Sequence, residues 1–170
     1  MRIVIVGEAM LELSQGASDW QLGYGGDTLN TAIHLARSGL DVAYLTALGN
    51  DPLSAGLKEK WAEEGLETSL VLAHPTRATG LYAISTDAAG ERSFTYWRDS
   101  SAARGMLALP QSPAALERAG EADLLAFSLI TLAILADPDR RRLFDLARKV
   151  RAGGGQVVFD GNYRPRLWAT

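Results

Sequence analysis

The segment Gly25-Gly26-Asp27-Thr28-Leu29-Asn30 puts two glycines, a carboxylate and an amide within six residues. Paired glycines ahead of a helix let the backbone approach a ligand closely and leave free amide donors at the helix start. Asp27 and Asn30 are three apart, so their side chains share a face if both lie in the first turn. The negative charge of Asp27 sits where a phosphate would otherwise bind, so the site suits neutral hydroxyls better than an anion. The competing reading is an ordinary cap, with Asp27 or Thr28 accepting from helix amides.

A second candidate is Ser93-Phe94-Thr95-Tyr96-Trp97-Arg98. Strand alternation places Phe94, Tyr96 and Arg98 on one face and Ser93, Thr95 and Trp97 on the other. An arginine beside aromatics could clamp a carboxylate with its planar fork; the plainer alternative is a solvated edge charge. A three-residue loop Ala88-Ala89-Gly90, with Gly90 left-handed, pairs Asp87 with Glu91 and therefore Tyr82 with Tyr96. A four-residue loop pairs Thr86 with Glu91 and moves Tyr82 to the Trp97 face. Glycine falls where the shorter loop needs it, which favours the first.

The third candidate, Asp160-Gly161-Asn162-Tyr163-Arg164, follows a strand-like run, at the edge where open α/β sheets bind ligands. Pro165 biases Arg164 toward extended backbone. Asn162 and Arg164 could grip a carboxylate or phosphates, and Asp160 is expected to tie down the loop backbone. Glu8, at the same edge, either accepts hydroxyls or faces water. His34 is expected to be partly buried in a helix, and His74 to lie in a loop without a role. Gly7-Glu8-Ala9-Met10 stands where a dinucleotide fingerprint would follow the first strand, and no P-loop pattern exists.

These residues need a scaffold. Apolar runs at Ile3 to Val6, Val42 to Leu48, Leu124 to Phe127 and Val157 to Phe159 suit strands buried on both faces of a parallel sheet. Helical patterns at 28–38, 51–64 and 137–152 lie between several of them, implying right-handed βαβ units. Shorter runs at Leu11 to Ser14, Trp20 to Tyr24, Thr79 to Thr86 and Glu91 to Arg98 predict a small antiparallel sheet, a lid or a dimer clasp. Residues 99–113 read as a loop or short helix without chemistry. The expected fold is α/β, a doubly wound, mostly parallel sheet with a β-lid. Segments 1–9, 25–78 and 99–170 form the core, and 10–24 and 79–98 the lid.

Composition narrows the function. The 170 residues carry 17 Lys+Arg against 20 Asp+Glu, a net charge of -3, which disfavours a nucleic-acid surface. No cysteine is present, so thiolate chemistry and disulfides are excluded. With two histidines no metal site is expected. No run approaches a membrane span or a secretory signal, so the cytoplasm is the expected compartment and no membrane partner is expected. The last predicted strand is followed by a short loop where a covering helix should stand. The chain therefore reads as the front part of a longer protein.

In order along the chain, Val6-Gly7-Glu8, Gly25 to Asn30, Ala47-Leu48-Gly49-Asn50-Asp51, Thr79-Gly80-Leu81-Tyr82, Tyr96-Trp97-Arg98 and Asp160 to Trp168 resemble the ribokinase-type (PfkB) family of sugar kinases. The Tyr-Trp-Arg and Asn-Tyr-Arg-Pro-Arg-Leu-Trp strings resemble its 2-keto-3-deoxygluconate kinase branch. The resemblance implies that Gly25, Gly26, Asp27 and Asn30 bind substrate hydroxyls, and that Tyr82, Tyr96 and Arg98 close on the substrate from the lid. It implies that Arg164 holds the sugar-acid carboxylate or the nucleotide phosphates, with Asn162 toward the nucleotide. It further implies phosphoryl transfer from ATP with Mg2+ to the terminal hydroxyl of a small sugar acid; separately, exposed lid strands often pair with a partner's, so a homo-oligomer through them is expected. The family's Gly-Ala-Gly-Asp stretch, with its general-base aspartate, has no match here, so these residues alone are not expected to catalyse. Leu129 stands where related sequences usually carry glycine in a strand-end turn. Other readings are a different ribokinase-type kinase, such as a fructokinase, or a non-catalytic sugar-binding or assembly module.

Overall fold

A computed structural model describes residues 1–16, 18–87 and 89–168; Ala88 of the expected hairpin loop lies outside them, as do Ala17, Ala169 and Thr170. The central sheet consists of β1 (Arg2–Val6), β4 (Asp41–Gly49), β5 (Val71–His74), β8 (Leu124–Ser128) and β9 (Gln156–Asp160). They run parallel in the order β5-β4-β1-β8-β9. Period-two alternation divides β1 between two cores. Ile3 and Ile5 face α1 (Asp27–Arg37) and α2 (Pro52–Glu63). Val4 and Val6 join the opposite core, which holds residues of α3 (Ser112–Ala119), α4 (Leu129–Ile134) and α5 (Asp137–Ala152). In the first core Trp61 is fully buried, edge-on to Tyr44 and Tyr24 at centroid distances of 5.9 and 6.2 Å.

From β1 the chain winds outward through β4 to β5, then returns to the other side of β1 for β8 and β9. The strand order reverses at β1, and a crevice opens there beyond the carboxyl ends of the strands. Two hairpins rise from this edge: β2 (Met10–Gln15) with β3 (Trp20–Gly25), and β6 (Gly80–Thr86) with β7 (Arg92–Trp97). They form a four-stranded lid in the order β3-β2-β6-β7. The lid is mixed rather than antiparallel, because β2 and β6 pair in parallel, Met10 with Gly80 through Ser14 with Ile84. Both strands leave the same edge of the core sheet, so they run the same way. In the second hairpin Gly90 has φ 83°, the Asp87 amide donates to the Glu91 carbonyl, and Tyr82 pairs with Tyr96, the register of the shorter loop.

The base of the lid is tied to the core. Thr79 Oγ1 accepts from the Gly49 amide at 2.9 Å and shares a hydrogen bond with Ser54 Oγ at 2.8 Å. Asp51 caps α2, accepting from the amide and the hydroxyl of Ser54. Two distant sequence strings, 47–51 and 79–80, thus meet at one hinge. Asp51→Ala is expected to lower stability by about 1 kcal/mol through the lost cap, which urea unfolding measures.

Several expectations need correction. β9 is an edge strand with Val158 and Phe159 half-exposed, not a strand buried on both faces. The short elements β5, α3 and α4 carry too little periodicity to stand out; at Leu129 a capping box between Ser128 and Thr131 turns an apolar run from strand to helix. His34 is exposed. His74 ends β5, where its Nδ1 accepts from the amides of Thr76 and Arg77.

Candidate active site

Beneath the lid, at the point where the strand order reverses, lies a cavity of about 820 Å3. Its wall contains Gly26, Asp27 and Asn30 from the start of α1, Tyr82, Tyr96 and Arg98 from the lid, and Asn162 and Arg164 beyond β9. Gly25 stands just behind the wall, where a Cβ would run into the Tyr82 hydroxyl. Gly26 has φ 152°, and a Cβ there would collide with the Glu8 carbonyl oxygen. Close approach of α1 to β1 and to the lid accounts for both glycines.

Asp27 does not act as a helix cap. Gly26 occupies that position, with no side-chain cap bond. The Thr28 hydroxyl instead shares a buried hydrogen bond with the Tyr44 hydroxyl at 2.9 Å. Asp27 Oδ2 accepts from Asn162 Nδ2 at 3.3 Å. Asn162, expected toward a nucleotide, therefore reaches the carboxylate at the start of α1. Arg164 has the extended backbone that Pro165 predicts, φ -124° and ψ 99°. Asp160 is exposed, and among the described residues its side chain makes no hydrogen bond to the loop it was expected to tie down. The anchor of that segment is Trp168, stacked at 5.4 Å on the Arg140 guanidinium, whose Nε donates to the Leu132 carbonyl at 2.7 Å.

On the lid face, the rings of Tyr82 and Tyr96 lie 5.9 Å apart and those of Phe94 and Tyr96 lie 6.3 Å apart. Tyr82 donates to Glu12. Burial and the neighbouring carboxylate push the Tyr82 phenol well above its ordinary pKa, so it stays a neutral donor. Arg98 is neither a solvated edge charge nor an unattached clamp. It is 9% exposed, and its guanidinium pairs with Glu8. Glu8 is 2% exposed, lines the cavity and also accepts from the Ser101 hydroxyl, so of its two expected settings the water-facing one does not hold. Burial raises the Glu8 pKa, opposed by Arg98, Ser101 and Arg104.

The wall also holds Phe94, Asp99, Ile130 and Arg166, which the sequence reading did not single out as binding residues. Alternation with Tyr96 already placed Phe94 on this face. Arg166 reaches the wall through the 3-10 turn Pro165–Leu167, which local patterning did not announce. Among the described residues no group of three His, Cys, Asp or Glu side chains converges to hold a metal, and no helix is long and apolar enough to cross a membrane. The arrangement offers a carboxylate and amides for hydroxyls, the Tyr96 phenol as a donor, and guanidinium groups for an anion.

The chain is also similar to known proteins. The chain is 46% identical over 170 residues to the 2-dehydro-3-deoxygluconokinase of Dickeya dadantii, an alignment covering 98% of this chain and 55% of that protein. It is 27% identical to a fructokinase of Salmonella typhimurium, covering 98% of this chain and 52% of that protein. The crystal structure of a PfkB protein from Polaromonas sp. JS666 superposes with a TM-score of 0.86 at 30% identity, covering 99% of this chain and 58% of that one. The chain thus spans about half the length of the curated relatives it matches. A parallel sheet whose order reverses at a lidded cavity, together with a match over residues 2–170 to the model described as pfkB family carbohydrate kinase, places the chain in that family.

Proposed function

We propose that the protein carrying this chain is a sugar-acid kinase that phosphorylates 2-keto-3-deoxygluconate with ATP, giving 2-keto-3-deoxy-6-phosphogluconate. The observation that supports it is the meeting of Asp27 and Asn30 with the guanidinium groups of Arg98 and Arg164 around one cavity. Asp27, Asn30 and the amides after Gly25 and Gly26 bind hydroxyls. Tyr82 and Tyr96 cover the sugar from the lid, and Arg98 meets its carboxylate. Arg164 holds that carboxylate or the nucleotide phosphates, with Asn162 beside it.

In the reaction the terminal hydroxyl oxygen bonds to the γ-phosphorus, the bond to the ADP oxygen breaks, and the hydroxyl proton passes to a base. Such transfer depends on positioning and electrostatic stabilisation. The base belongs to residues outside these 170. Bound together with the nucleotide, Mg2+ would neutralise charge on the transferring phosphates.

The intact protein tests this reading. It is expected to phosphorylate 2-keto-3-deoxygluconate in preference to fructose, and Arg98→Ala to raise KM for the acid about 10- to 100-fold through a lost charge-assisted bond. Preference for fructose, or an unchanged KM in Arg98→Ala, would point instead to a neutral-sugar kinase.

The outer face of the lid supports a second copy as partner. Register places Trp20, Leu22, Leu13, Leu81 and Trp97 on that face, with Trp20 51% and Trp97 57% exposed. An apolar sheet face of this kind suits a self-complementary contact. The protein is expected to sediment as a dimer, and Leu22→Glu with Trp97→Glu to convert it to monomer. A parent protein that is already monomeric at micromolar concentration would remove this partner.

A further inference from the structure

Arg98 is an uncommon lid residue: a buried guanidinium at the end of an otherwise exposed strand, facing the cavity. A guanidinium on a flexible stem samples many orientations unless something holds it. Two groups converge on that task from different elements. Glu8 comes from the loop that follows β1, the strand at which the sheet order reverses. Its Oε2 accepts from Arg98, 90 residues away. Its Oε1 accepts from Ser101, and Ser101 is set by its own amide donating to the Arg98 carbonyl at 3.1 Å. Gly80 leaves the space: a Cβ there would lie 3.2 Å from Glu8 Oε1 and 3.3 Å from the Ser101 Cβ.

Such an arrangement is a poor way to gain stability. Desolvating the two ions costs about as much as their attraction returns, and well-packed apolar side chains would serve as well or better. Arg98 Nε is buried with no partner, a further cost. The same geometry fixes the guanidinium plane beside the Tyr96 ring, with Cζ 5.8 Å from its centroid.

We propose that Glu8, on the cavity wall, and Ser101, behind it, are positioning residues that hold the Arg98 guanidinium in the orientation that meets the substrate carboxylate, so that acid selectivity depends on the partners of Arg98 as well as on Arg98 itself. The proposal rests on the sugar-acid reading of the cavity.

The test uses the intact protein with 2-keto-3-deoxygluconate and an analogue whose C1 carboxylate is replaced by hydroxymethyl. Glu8→Gln and Ser101→Ala, which preserve most of the volume, are each expected to lower the selectivity in kcat/KM for acid over analogue about 10-fold, carried by KM for the acid. Combining Glu8→Gln with Arg98→Ala should lower selectivity no further than Arg98→Ala alone. Unchanged selectivity in both single variants, or additive losses, would overturn the proposal. Nitrogen-15 spectra of the arginine side chains separate it from the functional reading. A held Arg98 shows distinct Nη signals that merge in Glu8→Gln, even if no sugar acid is turned over. Signals already merged in the parent protein would refute positioning by themselves.

Discussion

Replacing Asp27 with alanine is expected to lower kcat/KM for sugar phosphorylation by the intact protein about 100- to 1,000-fold, with the melting temperature changed by only a few degrees. The large effect follows from removing a charged acceptor aimed at substrate hydroxyls, since bonds to charged groups contribute about 1.5–3 kcal/mol each. The small one follows from what Asp27 does not do. Gly26 holds the cap position, and no side chain caps the helix. The hydrogen bond from Asn162 is long, 3.3 Å. What remains is the favourable placement of a negative charge in the first turn of a helix, about 0.3–1 kcal/mol. Steady-state kinetics and thermal unfolding of one purified variant decide the matter. Unaltered kinetics beside a clear loss of stability would make Asp27 a structural residue and remove the floor of the proposed site.

Gly26→Ala carries the second large effect, about 2–6 kcal/mol of lost stability together with loss of sugar phosphorylation. Two costs combine. A side chain at φ 152° occupies backbone space essentially reserved for glycine, about 1–3 kcal/mol. The new Cβ also meets the Glu8 carbonyl oxygen, so α1 or the end of β1 must shift, at about 1–3 kcal/mol. The shift would displace Glu8 and, through it, Arg98, both on the cavity wall. Gly39→Ala serves as the control: its φ is 81°, but a Cβ there meets nothing within 4 Å, so only the backbone strain applies. Denaturant midpoints for the two variants should therefore differ clearly. Equal midpoints would mean that close packing at Gly26 contributes nothing.

Four of the five strands of the central sheet, the helices after Gly26 and Asp51, the hairpin register and the Gly-Gly-Asp turn could be read from residue order. Each depends on contacts within one strand, one helical turn or one loop, where local periodicity and the φ freedom of glycine decide the outcome. The shared cavity of Arg98 and Arg164 was legible in part, through strand alternation and the bias that Pro165 imposes. Other features were settled only when distant segments met. Glu8 and Arg98 pair across 90 residues, and Asn162 reaches Asp27 across 135. The parallel pairing of β2 with β6 and the edge position of β9 are likewise products of how the hairpins and crossovers close. No local pattern encodes such pairings. A carboxylate following a strand looks the same in sequence whether it meets water or a guanidinium, and the difference arises when folding removes the water around both.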